Sequence, residues 1–270
     1  MRELFAMWSN TRMVVLTAIC AALYAAILIP FKVVPLIPGI TEFRPANAVP
    51  VVCSFLFGPA AAWGSAFGNL IGDFFGGLGP GDFFGFWANF LYGLVPYLVW
   101  EAVTDAEPVP RTVGWRFWRW RREDFVTLVG LVFVITLAAT LCATVVGWGL
   151  QALGFHPFYI LGRLVLLNNL VVALVLAPPL LTVLYPRIRH ARLLYRDLLG
   201  PRPALPRWRM ALGVALAVAG TTAAYAAGDL IASGRWLAPW APYHTATGAF
   251  EVGLGLVPLL GLAIAGLALL

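Results

Sequence analysis

From Met13 to Phe31 the chain passes 19 residues without a charged side chain. That is close to the length an α-helix needs to cross the roughly 30 Å hydrocarbon core of a bilayer. Comparable runs, each with one charge or none, follow at Phe83–Val103, Phe125–Leu153, Arg163–Leu184, Met210–Ala232 and Phe250–Leu270. Only 11% of the 270 residues are charged, against about 25% in a soluble domain. A soluble fold would lack the polar surface it needs. Disorder is excluded as well, because it requires low hydrophobicity. The chain is expected to be an all-α polytopic membrane protein with the lipid bilayer as its solvent.

The number of spans turns on Gly58-Pro59, which separates Ala46–Phe57 from Ala60–Gly77. Read as one helix, this stretch places the two arginine-rich loops opposite the N-terminus. Read as a hairpin, it gathers Arg2, Arg12, the loop Thr104–Asp124 and the loop Tyr185–Arg209 on one side, with fourteen of the 18 basic residues. The positive-inside rule favours the hairpin. The expectation is eight spans, both termini cytoplasmic, with a short second span. The proline- and arginine-rich stretch 185–209 reads as a linker between a six-span core (1–184) and a two-span extension (210–270).

The net charge of +6 is accounted for by these cytoplasmic anchors, so no nucleic-acid partner is implied. The segment Trp115–Arg122 alternates aromatic and basic residues, which suits an interfacial anchor or a docking site for a cytoplasmic partner. Cys20, Cys53 and Cys142 lie far apart in apolar stretches without a C-x-x-C pair, and the three histidines are scattered. Neither a metal site nor a cofactor is indicated.

On this topology the intramembrane polar residues gather toward the outer face. They include Glu42, Arg44, Asn47, Asn69, Asp73, Asn89, Arg163 and Asn168, in company with Trp87, Phe90, Tyr92 and Tyr159. Ionisable groups in a membrane are costly and face a cavity or a partner. An outward-opening pocket with aromatic lining and a few polar groups suits a small molecule. Asp73 and Arg44 could equally form a structural ion pair. The sequence Gly72-Asp73-Phe74-Phe75-Gly76 recurs as Gly81-Asp82-Phe83-Phe84-Gly85, either a mobile lid or a tight helix hairpin. Ala18, Ala22 and Ala26 form a small-residue stripe, for internal packing or for close approach of a second membrane protein.

The segments Phe43–Pro50, Phe57-Gly58-Pro59 and Gly68–Asp73 resemble the substrate-binding (S) components of energy-coupling factor transporters, most of all the queuosine-precursor type. The resemblance spans about residues 12–184. It implies a bacterial or archaeal cell-membrane protein that binds a vitamin-like molecule at its outer face. It also implies docking through Ala18, Ala22 and Ala26 on a membrane coupling subunit driven by two cytoplasmic ATPases, then toppling to release substrate inside. The loop Ile37–Asn47 and the turn Gly76–Asp82 would gate the pocket. The chain has no G-x-x-x-x-G-K-[ST] loop, so no ATPase site of its own is expected. Spans seven and eight exceed the six of that family.

Two other classes remain. Gly79-Pro80-Gly81-Asp82 matches the G-x-G-D of intramembrane aspartyl proteases, whose chemistry needs two carboxylates sharing a proton; Asp73 would be the second. A self-sufficient secondary transporter or channel would need carboxylates near the bilayer midplane, whereas these stand at span ends.

Overall fold

The computed structural model describes residues 2–31, 35–37, 41–42, 44–104, 106–109, 122–200, 205–240 and 248–270. Its helices are α1 (Glu3–Ala6), α2 (Thr11–Phe31), α3 (Ala48–Phe57), α4 (Pro59–Phe74), α5 (Asp82–Val103), α6 (Arg122–Ala152), α7 (Phe158–His190), α8 (Tyr195–Leu199), α9 (Arg207–Ala232), α10 (Ala249–Gly255) and α11 (Val257–Leu269). A small antiparallel ribbon, Pro35–Ile37 with Thr41–Glu42, follows α2. Among the described residues, six helices are long and apolar enough to cross a membrane.

The packing register gives the direction of each helix. Along α4, a Cβ on Gly64 would meet Cys20, one on Gly68 would meet Ala21 and Tyr24, and one on Gly72 would meet Leu28, at 2.4–2.9 Å. Helices α2 and α4 therefore run parallel, their backbones touching along a glycine ladder. Along α5 the order reverses: Gly85 lies beside Asn69, and Gly93 beside Ala61. Between them α3 descends, from Asn47 beside Tyr24 to Ser54 beside Gly93 and Phe55 against Trp100. Gly58-Pro59 is thus a reversal, as the charge pattern expects. Gly58 turns the chain with φ +52°, a conformation that favours glycine. A Cβ there would also sit 2.7 Å from the Tyr195 ring.

The descending helix is short. Its 10 residues make only about 15 Å of rise, and the 3-10 turn Pro45–Asn47 extends it slightly. Asn47, in that turn, is itself buried, at 3% exposure. Helix α7 is longer than the apolar run suggests at both ends. Pro157 starts it and buried Phe158 anchors its first turn. It then continues through Pro178, Pro179 and Pro186 into the region expected to be linker.

Within the same stretch, α8 packs against the core. Helix α8 tucks under the α3–α4 turn, where the Tyr195 hydroxyl donates to Glu101. Arg196 Nε stands 2.9 Å from the same carboxylate, and Asn10 donates to the Leu198 carbonyl. We call this the basic end of the bundle, because the described arginines of the N-terminus and of the two loops lie there. The opposite end, which carries Asn47, Asn69, Asn89 and Asn168, is the polar end. The segment Trp115–Arg121 lies outside the described residues.

Candidate functional site

At the polar end, four helices each bring an amide or hydroxyl to one point. Tyr24 comes from α2, Asn47 from the turn that opens α3, Asn89 from α5 and Asn169 from α7. The Tyr24 hydroxyl lies 3.0 Å from the Oδ1 atoms of both Asn47 and Asn89. Asn47 Nδ2 donates to Asn169 Oδ1 at 2.6 Å. Asn169 Nδ2 faces the Cys142 sulfur of α6 at 3.3 Å, and the Tyr92 hydroxyl donates to the Asn169 carbonyl at 3.2 Å. Asn89 Nδ2 closes the network on the Gly85 carbonyl at 2.9 Å. All of these side chains are buried. So many polar groups in a nonpolar bundle persist because each is bonded to a neighbour.

The network walls a cavity of about 100 Å3. Arg44 and Asn168 complete its polar side, while Val146, Leu150, Leu161 and Val165 form its apolar side. Among the described residues it is an amide cage with one aromatic ring, Tyr24.

The expected site residues divide around it. Arg44, Asn47, Asn89 and Asn168 line the cavity together. Asn69 and Asp73 are not among its lining residues. They bond to each other, Asn69 Nδ2 to Asp73 Oδ2 at 2.5 Å, beside Gly85, and among the described residues the buried Asn69 Oδ1 has no hydrogen-bond partner. Trp87 is 41% exposed and packs edgewise on Phe86 and Phe90. Arg163 forms a bidentate pair with Asp229 of α9, at 2.9 and 2.8 Å. Glu42 falls in the small ribbon, and its side chain lies outside the described residues. Phe90 and Tyr92 are buried behind the wall rather than on it.

Three contributors were not among the expected site residues: Tyr24, Cys142 and Asn169. Asn169 alone of the three carries a sequence signal, because it adjoins Asn168 and makes a pair of amides within an apolar run. Tyr24 and Cys142 sit uncharged and without a motif in apolar runs, and only the neighbouring helices give them a role.

The alanine stripe is placed clearly. Ala18, Ala22 and Ala26 are exposed on α2, flanked by exposed Val15, Ile19, Leu23 and Ile27. Packing against α4 is done by other residues, Cys20, Ala21 and Tyr24. At the α4–α5 turn, Asp82 Oδ2 accepts from the Gly79 amide at 2.6 Å, so its carboxylate pins the turn. Asp73 is engaged by Asn69 instead, and no hydrogen bond joins the two carboxylates among the described residues. No group of three metal-ligating side chains occurs among the described residues.

A family model described as QueT transporter matches residues 14–186. No curated protein and no solved structure matches the chain.

Proposed function

The chain belongs to the QueT transporter family, the S components of energy-coupling factor transporters for queuosine precursors, and from that premise we propose that the amide cage at the polar end is its substrate site. The protein is a multi-pass membrane transport component. The observation that carries the proposal is the convergence of Tyr24 of α2, Asn47 before α3, Asn89 of α5, and Asn168 and Asn169 of α7 on one buried cavity. Queuosine precursors are built on a purine-like ring whose edge alternates N–H donors with carbonyl and ring-nitrogen acceptors. Asparagine amides offer both functions at a fixed spacing, as in their bidentate pairing with nucleobase edges. The Tyr24 hydroxyl has one proton for two amide oxygens, so one of those oxygens retains capacity for a ligand N–H.

The cavity is smaller than the roughly 300 Å3 of an ordinary ligand pocket. Binding therefore widens it, and Arg44, at the end of the segment that follows α2, is the wall residue with the longest reach. In the proposed orientation the basic end faces the cytoplasm, by the positive-inside rule, and the cage opens outward. The exposed stripe Ala18, Ala22 and Ala26 is the docking face for the coupling subunit, because small residues let another helix approach closely. ATPase subunits on the cytoplasmic side would drive release.

Titration calorimetry with queuine, the free base of queuosine, tests the site. The native protein binds, and Asn47→Ala and Asn168→Ala weaken binding about 10- to 100-fold, the cost of leaving one buried polar partner unmade. Full affinity in both variants would move the site elsewhere. Uptake by the protein alone in liposomes, driven by an ion gradient, would instead favour a self-sufficient transporter.

A further inference from the structure

The two-span extension lies beyond the family match, which ends at residue 186, and it packs on α6 and α7, two of the helices that wall the amide cage. Helices α9 and α11 form a rigid pair: a Cβ on Gly220 would fall 2.4 Å from Ala263 N, and one on Gly266 would fall 2.3 Å from Ala217 N. Backbones this close leave little room for sliding. The pair then grips the core at the polar end. Arg163 of α7 holds Asp229 of α9 with two charge-assisted hydrogen bonds. The ring of Phe158, at 1% exposure, fills a socket of small residues: a Cβ on Gly228 of α9 or on Gly147 of α6 would fall 2.7–2.8 Å from it. Trp148 of α6 donates to the Gly253 carbonyl of α10 at 2.8 Å.

These grips fall on the same helical turns that wall the cavity. Trp148 stands between the lining residues Val146 and Leu150. Phe158 and Arg163 bracket Leu161, and Val165 and Asn168 follow within the next two turns. Trp148 stands on the face of α6 opposite Val146 and Leu150, and Arg163 on the face of α7 opposite Leu161, Val165 and Asn168, so those two grips meet the extension from the side turned away from the cavity, while Phe158 lies one turn before Leu161. We infer that the extension is a brace that presets the cage, and that Arg163 and Asp229 are positioning residues for the substrate although neither lines the cavity. The inference rests on the amide cage being the substrate site, and it adds to that reading a role for α9–α11. Without the brace, the polar ends of α6 and α7 would sample several registers, and binding would have to select the competent one, which lowers apparent affinity by the fraction populated.

The test has two readouts on the full chain. Asp229→Asn removes the bidentate pair, and Gly228→Leu drives Phe158 from its socket. Hydrogen exchange followed by peptide mass spectrometry should accelerate at 142–152 and 158–170 in both variants, with α2–α4 unchanged. Queuine affinity should fall about three- to tenfold for Asp229→Asn, and the reciprocal exchange Arg163→Asp with Asp229→Arg should restore most of it. If exchange rises but queuine affinity is unaltered, the extension is only a stabiliser and the brace is overturned. Unaltered exchange in both variants overturns it too. Failure of the native protein to bind queuine would count against the cage as the site, while the exchange readout would still report on the brace.

Discussion

Asn169 occupies an unusual position for a single side chain. Its Oδ1 receives Asn47, its Nδ2 meets Cys142, and its backbone carbonyl receives Tyr92. One residue of α7 therefore ties together the turn that opens α3, α6 and α5. Asn169→Ala leaves the Asn47 amide without its partner and frees Cys142. The expected result is a loss of queuine affinity of at least tenfold, together with a lower melting temperature in detergent. Cys142 should also become reactive to maleimide, as located by peptide mass spectrometry. Asn169→Asp is a sharper probe, since it keeps the shape and one acceptor but adds a charge to a buried site. A variant with native affinity and an unreactive Cys142 would show that the network is ornamental to binding.

The helices α2 and α4 show how one element can serve two surfaces. Thr17, Cys20, Ala21 and Tyr24 face the glycine ladder of α4, while Ala18, Ala22 and Ala26 face away. Substitutions on the two faces should therefore separate cleanly. Gly68→Leu meets the Ala21 carbonyl and the Tyr24 ring within 3 Å. Overpacking of this kind costs about 1–3 kcal/mol, and a reduced melting temperature checks it. Ala22→Leu should leave melting temperature and queuine binding unchanged but abolish uptake in cells that contain the coupling subunit and ATPases. Uptake at the native rate would sink the docking face. The element α8 is the counterpart at the basic end. Tyr195, Arg196 and Glu101 lock it beneath Gly58, so Tyr195→Ala should loosen the α3–α4 turn without touching the cage.

For the whole molecule, the antiparallel order of α3, α4 and α5 places the described arginines of the N-terminus, of the last turn of α7 and of α8 at one end and the buried amides at the other. Single cysteines at Gly79 and at Arg192 provide the orientation test in a chain whose native cysteines are replaced by serine or alanine. A membrane-impermeant maleimide should label the first in intact cells and the second only after permeabilisation. The reverse pattern would invert the proposed topology. It would put the cage on the cytoplasmic side, where it could not collect substrate for import.

The sequence determines the class of this protein through what it lacks. Charges at 11% demand a bilayer, and the side on which the few arginines fall demands a hairpin at Gly58-Pro59. Both are sums over many residues, which is why they are legible without a structure. The resemblance of Phe43–Pro50 and Gly68–Asp73 to a transporter family is legible for the same reason, because it spreads over a long stretch of chain. The site is different. Arg44, Asn47, Asn89 and Asn168 were visible as costly polar residues in apolar runs, but so were Arg163 and Trp87, which the fold turns toward the extension and toward the exterior. Burial cost says that a polar side chain needs a partner; it does not say which one. Only the close approach of α2, α3, α5, α6 and α7 brings Tyr24 and Cys142 into the cage, and only the glycine contacts of α9 commit Arg163 to Asp229. Those outcomes depend on helix rotation about its axis, and a change of 100° per residue is decided by contacts between distant segments rather than by local sequence.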